Sequence, residues 1–136
     1  MAEGKVSRTK ELEQDLFSAV DSGNVEKVNS LLGGGIDVNV VDKIRWTPLH
    51  HAVAAKHVDI VNVLIKAKAD INARDMFDNT PLHTACQYGE VDIVRVLLTN
   101  RPDINARNNV SNIRLIIMTN VRLWQTKQEC IEIVKL

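Results

Sequence analysis

Four histidines and two cysteines are the side chains best equipped for chemistry. His50, His51 and His57 fall within eight residues of each other, and His83 stands 33 residues after His50. Three close imidazoles would be the start of a zinc site, but they lack the recognisable spacing of zinc ligands. His51 and His57 are therefore expected to be solvated surface residues. Cys86 with a histidine nearby would suggest a thiol nucleophile. It occupies the place that Val53 holds 33 residues earlier, on a buried side, where a thiol is inert. Cys86 and Cys130 form no disulfide framework and read as free thiols of a reducing compartment. Gly33-Gly34-Gly35 lacks the Lys-Ser/Thr and the preceding strand of a phosphate-binding loop. No catalytic residue, metal or cofactor is expected, and no enzyme activity.

The interval between His50 and His83 is not theirs alone. Residues 42–74 and 75–107 are one 33-residue unit written twice, identical at 17 positions. Thr47-Pro48-Leu49-His50 returns as Thr80-Pro81-Leu82-His83. Val58-Asp59-Ile60-Val61 returns as Val91-Asp92-Ile93-Val94, and Asp70-Ile71-Asn72-Ala73-Arg74 as Asp103-Ile104-Asn105-Ala106-Arg107. Such a period marks a stacked repeat. A histidine that recurs beside a helix cap is structural, its ring placed to bond the capping threonine and neighbouring backbone.

Each unit reads as two helices. Thr47 and Thr80 accept an orphan amide hydrogen at a helix start, and Pro48 and Pro81 follow where a missing N–H costs nothing. Leu49, Ala52 and Val53 share one face, as do Leu82, Ala85 and Cys86. Gly89 is placed to close the second of these short helices. The following helix carries Val58, Ile60, Val61, Leu64 and Ile65, then Val91, Ile93, Val94, Leu97 and Leu98. Its apolar positions are crowded enough for burial between stacked neighbours. Pro102 prevents the last helix from continuing.

The period and the T-P-L-H-x-A string, ending His50-His51-Ala52 and His83-Thr84-Ala85, closely resemble the ankyrin repeat over residues 13–107. The resemblance implies an all-α solenoid of stacked helix–turn–helix units joined by hairpin-like fingers at right angles to the helices. The family usually has glycine where Arg45, Asp78 and Lys56 stand. Arg45 and Lys56 are expected in the left-handed region at a cost of about 1 kcal/mol each.

Residues 1–9 are expected to fray. Residues 10–41 read as a degenerate N-terminal capping repeat without T-P-L-H. Leu12, Leu16, Ala19 and Val20 lie on one helix closed by Gly23, and Val25, Val28, Leu31 and Leu32 on a second stopped by Gly33-Gly34-Gly35. Its polar outer face, with Lys10, Glu11, Glu13, Gln14 and Asp21, suits an end repeat. Full repeats follow at 42–74 and 75–107. Residues 108–136 read as a degenerate, truncated repeat with a seven-residue insertion, since Ile113-Arg114-Leu115-Ile116 stands where T-P-L-H belongs. A compensated two-base frame shift would produce such a string, as would ordinary divergence.

Seventeen basic and seventeen acidic residues cancel. The bulk field that draws nucleic acid or anionic membranes is therefore missing. No 18-residue apolar run and no signal-peptide core appear. A cytoplasmic or nuclear monomer is expected, binding neither nucleic acid nor membrane.

Function is expected where the copies disagree. Trp46 corresponds to Asn79, Ile44 to Phe77, Lys43 to Met76 and Ala55 to Tyr88. The resemblance implies that these positions line the finger tips and the concave face of the first helices. Trp, Tyr, Met and Arg are enriched at interface cores. The candidate partner-binding residues are Lys43, Ile44, Trp46, Arg74, Met76, Phe77, Asn79, Gln87, Tyr88 and Arg107. Trp46, Phe77 and Tyr88 are expected in one patch; the alternative is that Trp46 and Phe77 pack on neighbouring fingers as local core. The expected function is a protein–protein interaction module. The alternatives are a regulatory or targeting fragment of a larger enzyme, or a decayed remnant of an array.

Overall fold

Helices of seven to nine residues do not persist alone in water, so pairing and stacking must hold them. A computed structural model of the chain describes residues 2–88 and 91–108, with side chains from Arg8 onward. Gly89, Cys130 and the degenerate repeat beyond Asn108 lie outside the described residues. The helices are α1 (Ala2–Ser22), α2 (Val25–Gly33), α3 (Pro48–Ala54), α4 (Val58–Lys66), α5 (Pro81–Tyr88) and α6 (Val91–Thr99). They pair as α1–α2, α3–α4 and α5–α6. The pairs stack with α1, α3 and α5 in one row and α2, α4 and α6 in a second. This is the expected all-α solenoid, with two fingers, residues 42–46 and 75–79, entering α3 and α5.

The core is built in columns that keep the 33-residue interval. Leu16, Leu49 and Leu82 form one; Ala19, Ala52 and Ala85 another; Val20, Val53 and Cys86 a third; Val28, Val61 and Val94 a fourth. All are buried, and each full burial of a Leu or Val contributes about 1.5–3 kcal/mol. The alanines leave little side chain between helices of the first row, so those helices approach closely.

The first-row helices end alike. Asn24 N–H reaches Ala19 C=O and Gly23 N–H reaches Val20 C=O; His57 and Lys56 repeat this with Ala52 and Val53. The closing residue has positive φ, +77° at Gly23 and +66° at Lys56. A second such position follows α2, α4 and α6, at Gly35, Lys68 (φ 72°) and Arg101 (φ 54°). A third lies at the finger tips, Arg45 (φ 65°) and Asp78 (φ 61°). Arg45 and Lys56 thus sit in the left-handed region as expected, and Lys68 and Arg101 add two sites that sequence reasoning did not mark.

The N-terminus differs from expectation. α1 begins at Ala2 instead of Lys10, so residues 2–9 are helix where fraying was expected. No proline interrupts them, and each residue added to an existing helix gains one backbone hydrogen bond.

Lys68 is exposed and stands where the first unit has Gly35. Lys68→Gly should raise stability by up to about 1 kcal/mol by removing the left-handed penalty, less what glycine costs in chain entropy. Lys68→Ala keeps the penalty and should give no rise. Denaturant midpoints of the two variants check this; equal midpoints would mean that the backbone there carries no strain.

Candidate functional site

Each finger is folded by its own leading aspartate. Asp42 Oδ1 accepts the N–H groups of Ile44 (3.0 Å) and Trp46 (2.9 Å). Asp75 Oδ1 accepts those of Phe77 (2.8 Å) and Asn79 (2.9 Å). The aspartate N–H closes the loop onto Trp46 C=O in one finger and Asn79 C=O in the other, and Met76 N–H joins the fingers by donating to Ile44 C=O. Burial pushes the Asp75 carboxyl up. Hydrogen bonds from the backbone of Asn79 and Phe77 and the side chains of Trp46 and Asn79 outweigh it and hold the group below its ordinary value.

His50 ties a helix cap to the next unit. Thr47 Oγ1 accepts His50 N–H, and Thr47 N–H donates to His50 Nδ1 at 3.2 Å. A backbone N–H can only donate, so Nδ1 carries no proton and Nε2 must. Nε2–H then donates to Asn79 C=O at 3.0 Å, across the unit boundary. Burial lowers the His50 pKa below its ordinary value, against the raising effect of the Asn79 carbonyl and nearby carboxylates. His83 repeats the capping half, with Thr80 N–H on Nδ1 at 3.0 Å. Both rings bond the capping threonine, as their recurrence implied.

The non-repeating histidines correct the sequence reading. Phe17 stands 33 residues before His50 and has no N–H to offer finger 1. His51 and His57 join the first two units instead. His51 Nδ1 lies 3.1 Å from Asp21 Oδ1 and Nε2 2.7 Å from Asp42 Oδ2, with the ring against Phe17 and Trp46. His57 Nε2 lies 3.1 Å from Asp21 C=O. Its ring fills the space before Gly23, where a Cβ would come within 3.0 Å. These are junction residues and not solvated ones. The signal available in sequence was their presence only in the unit that follows a cap without T-P-L-H. Cys86 is buried, and burial pushes its thiol up to about 12, so it is no thiolate.

The candidate binding residues divide into two groups. Trp46 is half-buried; its Nε1–H donates to Asp75 Oδ2 at 2.9 Å, and its ring stacks on His50 at 6.0 Å. Asn79 Nδ2 donates to Asp75 Oδ2, and its Oδ1 accepts Asn108 Nδ2 at 2.7 Å. Asn108 stands 33 residues after Asp75, so Trp46–Asp75 and Asn79–Asn108 are one link made with different side chains. Arg74 Nη1 donates to Asp78 C=O and to Arg107 C=O (2.6 Å). These three residues join fingers. For Trp46 the local-core alternative describes its place.

The second group is exposed: Lys43, Ile44, Met76, Phe77, Gln87, Tyr88 and Arg107. Phe77 and Met76 show 56% and 54% of their surface, and Val41, which sequence reasoning passed over, shows 47%. Val41, Ile44, Met76 and Phe77 make an apolar strip along the fingers; grouped apolar exposure of this kind marks interaction surfaces. Tyr88 is at the far end of α5 from finger 2, about 10 Å along the helix. Neither Tyr88 nor Phe77 makes a ring contact with Trp46, so the expected single patch of three aromatics is not formed by ring packing.

Among the described residues, no group of three or more His, Cys, Asp or Glu is arranged to hold a metal ion, and no helix is long and apolar enough to cross a membrane. The family model described as ankyrin repeats (3 copies) matches residues 16–108. A curated protein similar to this chain is the putative ankyrin repeat protein FPV223 of fowlpox virus (strain NVSL), 46% identical over 39 residues. That match covers 29% of this chain and 28% of the relative, so the chain spans little more than a quarter of the relative's length.

The lowered pKa of His50 fixes a sign. Between its ordinary value of about 6.5 and its lower folded value, the unfolded chain binds a proton that the folded chain refuses. Stability therefore falls as pH falls through that window. His50→Gln should be less stable by roughly 1–3 kcal/mol near neutrality, through the buried partners it leaves unpaired. It should also lose less than wild type on going from about pH 7.5 to about pH 5.5. Thermal midpoints at both values check this; equal losses would mean that the His50 ring takes up its proton as freely in the fold as outside it.

Proposed function

The chain belongs to the ankyrin-repeat family, and from that premise we propose that it is a protein–protein interaction module without catalysis of its own. It holds a partner protein on the finger tips and on the adjoining, concave surface of the α1–α3–α5 row. The observation that carries this reading is the strip of Val41, Ile44, Met76 and Phe77, exposed while the repeat's own apolar columns are buried. The scaffold does not use these side chains, so their burial remains for a partner. Lys43, Gln87, Tyr88 and Arg107 border the same surface and complete the proposed contact set. The balanced charge supports a protein partner over nucleic acid. We place the protein, as a monomer, in the cytoplasm or nucleus.

Binding energy at such surfaces concentrates in a few aromatic and arginine residues. A photo-crosslinking residue at position 77 should capture a partner, and one at Asn62, exposed on α4, should not. Phe77→Ala should then weaken that partner by about 2 kcal/mol with the thermal midpoint unmoved. Trp46→Ala should lower the midpoint, because it removes the link to Asp75. Capture from position 62 with none from 77 would move the working face to the second row.

A further inference from the structure

Residues 9–13 stand 33 positions before finger 1. Where the later units turn out a hairpin, the first unit continues as helix α1. A helix beside an outturned finger leaves an open groove of about 690 Å³, with Lys10, Glu13 and Gln14 on one wall and Val41, Lys43 and Ile44 on the other. Val41 and Ile44 are its exposed apolar side chains. Lys10, Lys43 and Arg45 are exposed around them and make no ion pair among the described residues. Of the two carboxylates, Asp42 is occupied. Its Oδ1 holds the N–H groups of Ile44 and Trp46, and its Oδ2 faces His51. Only Glu13 is left to oppose three cations, in a chain whose net charge is zero.

We propose that this groove docks an acidic segment of the partner protein, with branched aliphatic or aromatic side chains between its carboxylates. The proposal rests on the protein-binding reading and names the chemistry of what is bound. The segment's apolar side chains cover Val41 and Ile44, and its carboxylates face Lys10, Lys43 and Arg45. Complementary charge of this kind speeds encounter and excludes basic competitors more than it adds affinity. It is screened by salt, with a Debye length of about 8 Å at physiological ionic strength.

The test uses the full chain and two fluorescein-labelled peptides, one alternating Glu with Leu and a counterpart alternating Lys with Leu, read by anisotropy. The acidic peptide should bind at least about tenfold tighter, and its advantage should shrink in high salt. Lys10→Glu combined with Lys43→Glu should abolish the preference. Ile44→Asp should weaken the acidic peptide, with circular dichroism and thermal midpoint unchanged in all variants. Equal binding of both peptides, unaltered binding after charge reversal, or equally tight binding of an RNA oligonucleotide would overturn the proposal. If Phe77→Ala weakens a cross-linked partner and the charge reversal does not, the groove proposal fails while the wider reading stands. If neither variant affects that partner, both fail.

Discussion

The His50 ring joins two things that a repeat protein must do, start a helix and attach the next unit. Thr47 N–H closes Nδ1, and the ring has no other tautomer available than the one that donates from Nε2. The cap of α3 thereby aims a donor at Asn79 C=O. A threonine alone would satisfy the helix end; the histidine extends the cap across a unit boundary. Burial keeps the ring neutral, and leaving a buried carbonyl without its donor would cost about 1–3 kcal/mol. The columns of Leu, Ala and Val give the stack most of its energy, but that energy is non-directional. The hydrogen bonds select the register in which the columns align.

Other ties between units follow the same logic. Asn39 Oδ1 accepts Asp70 N–H at 2.7 Å, and Asn72 Oδ1 accepts Asp103 N–H at 2.8 Å, so each connection holds the next. Where the first unit has Phe17 instead of a histidine, the polar ties move to His51 and His57, and Asp42 bonds both its own finger and the His51 ring. The surface left for a partner is what these ties do not use. That is why the proposed contacts fall on Ile44, Met76 and Phe77, whose side chains point away from every junction, and on a groove opened where α1 replaces a finger.

Local chemistry was legible in the residues alone. Thr47, Pro48 and His50 announce a helix start because capping acts within four residues, and the 33-residue period announces stacking because neither helix pair can bury its face by itself. The buried columns follow from that period. Left-handed backbone was legible at Arg45, Asp78 and Lys56, where the family pattern has glycine. It was not at Lys68 and Arg101, since both full copies carry a basic residue there and Gly35 is hidden in a triple glycine. The start of α1 was missed because a helix spreads into any neighbouring segment that does not forbid it.

Stacking decided the rest. Trp46 and Asn79 looked free because they differ between the copies, and Arg74 because it ends a connection. Their partners lie 29 residues on in the first two cases, at Asp75 and Asn108, and 33 in the third, at Arg107. Trp46 faces a carboxylate and Asn79 an amide, so each side chain was fitted to a different neighbour while making the same link. The exposure of Val41, by contrast, comes from a position where Arg74 is held down. Sequence determines which residues cap, turn and line a repeat, because those interactions are short along the chain. Which of the remaining side chains join units and which face solvent depends on contacts one full repeat apart, and these exist only once the units are stacked.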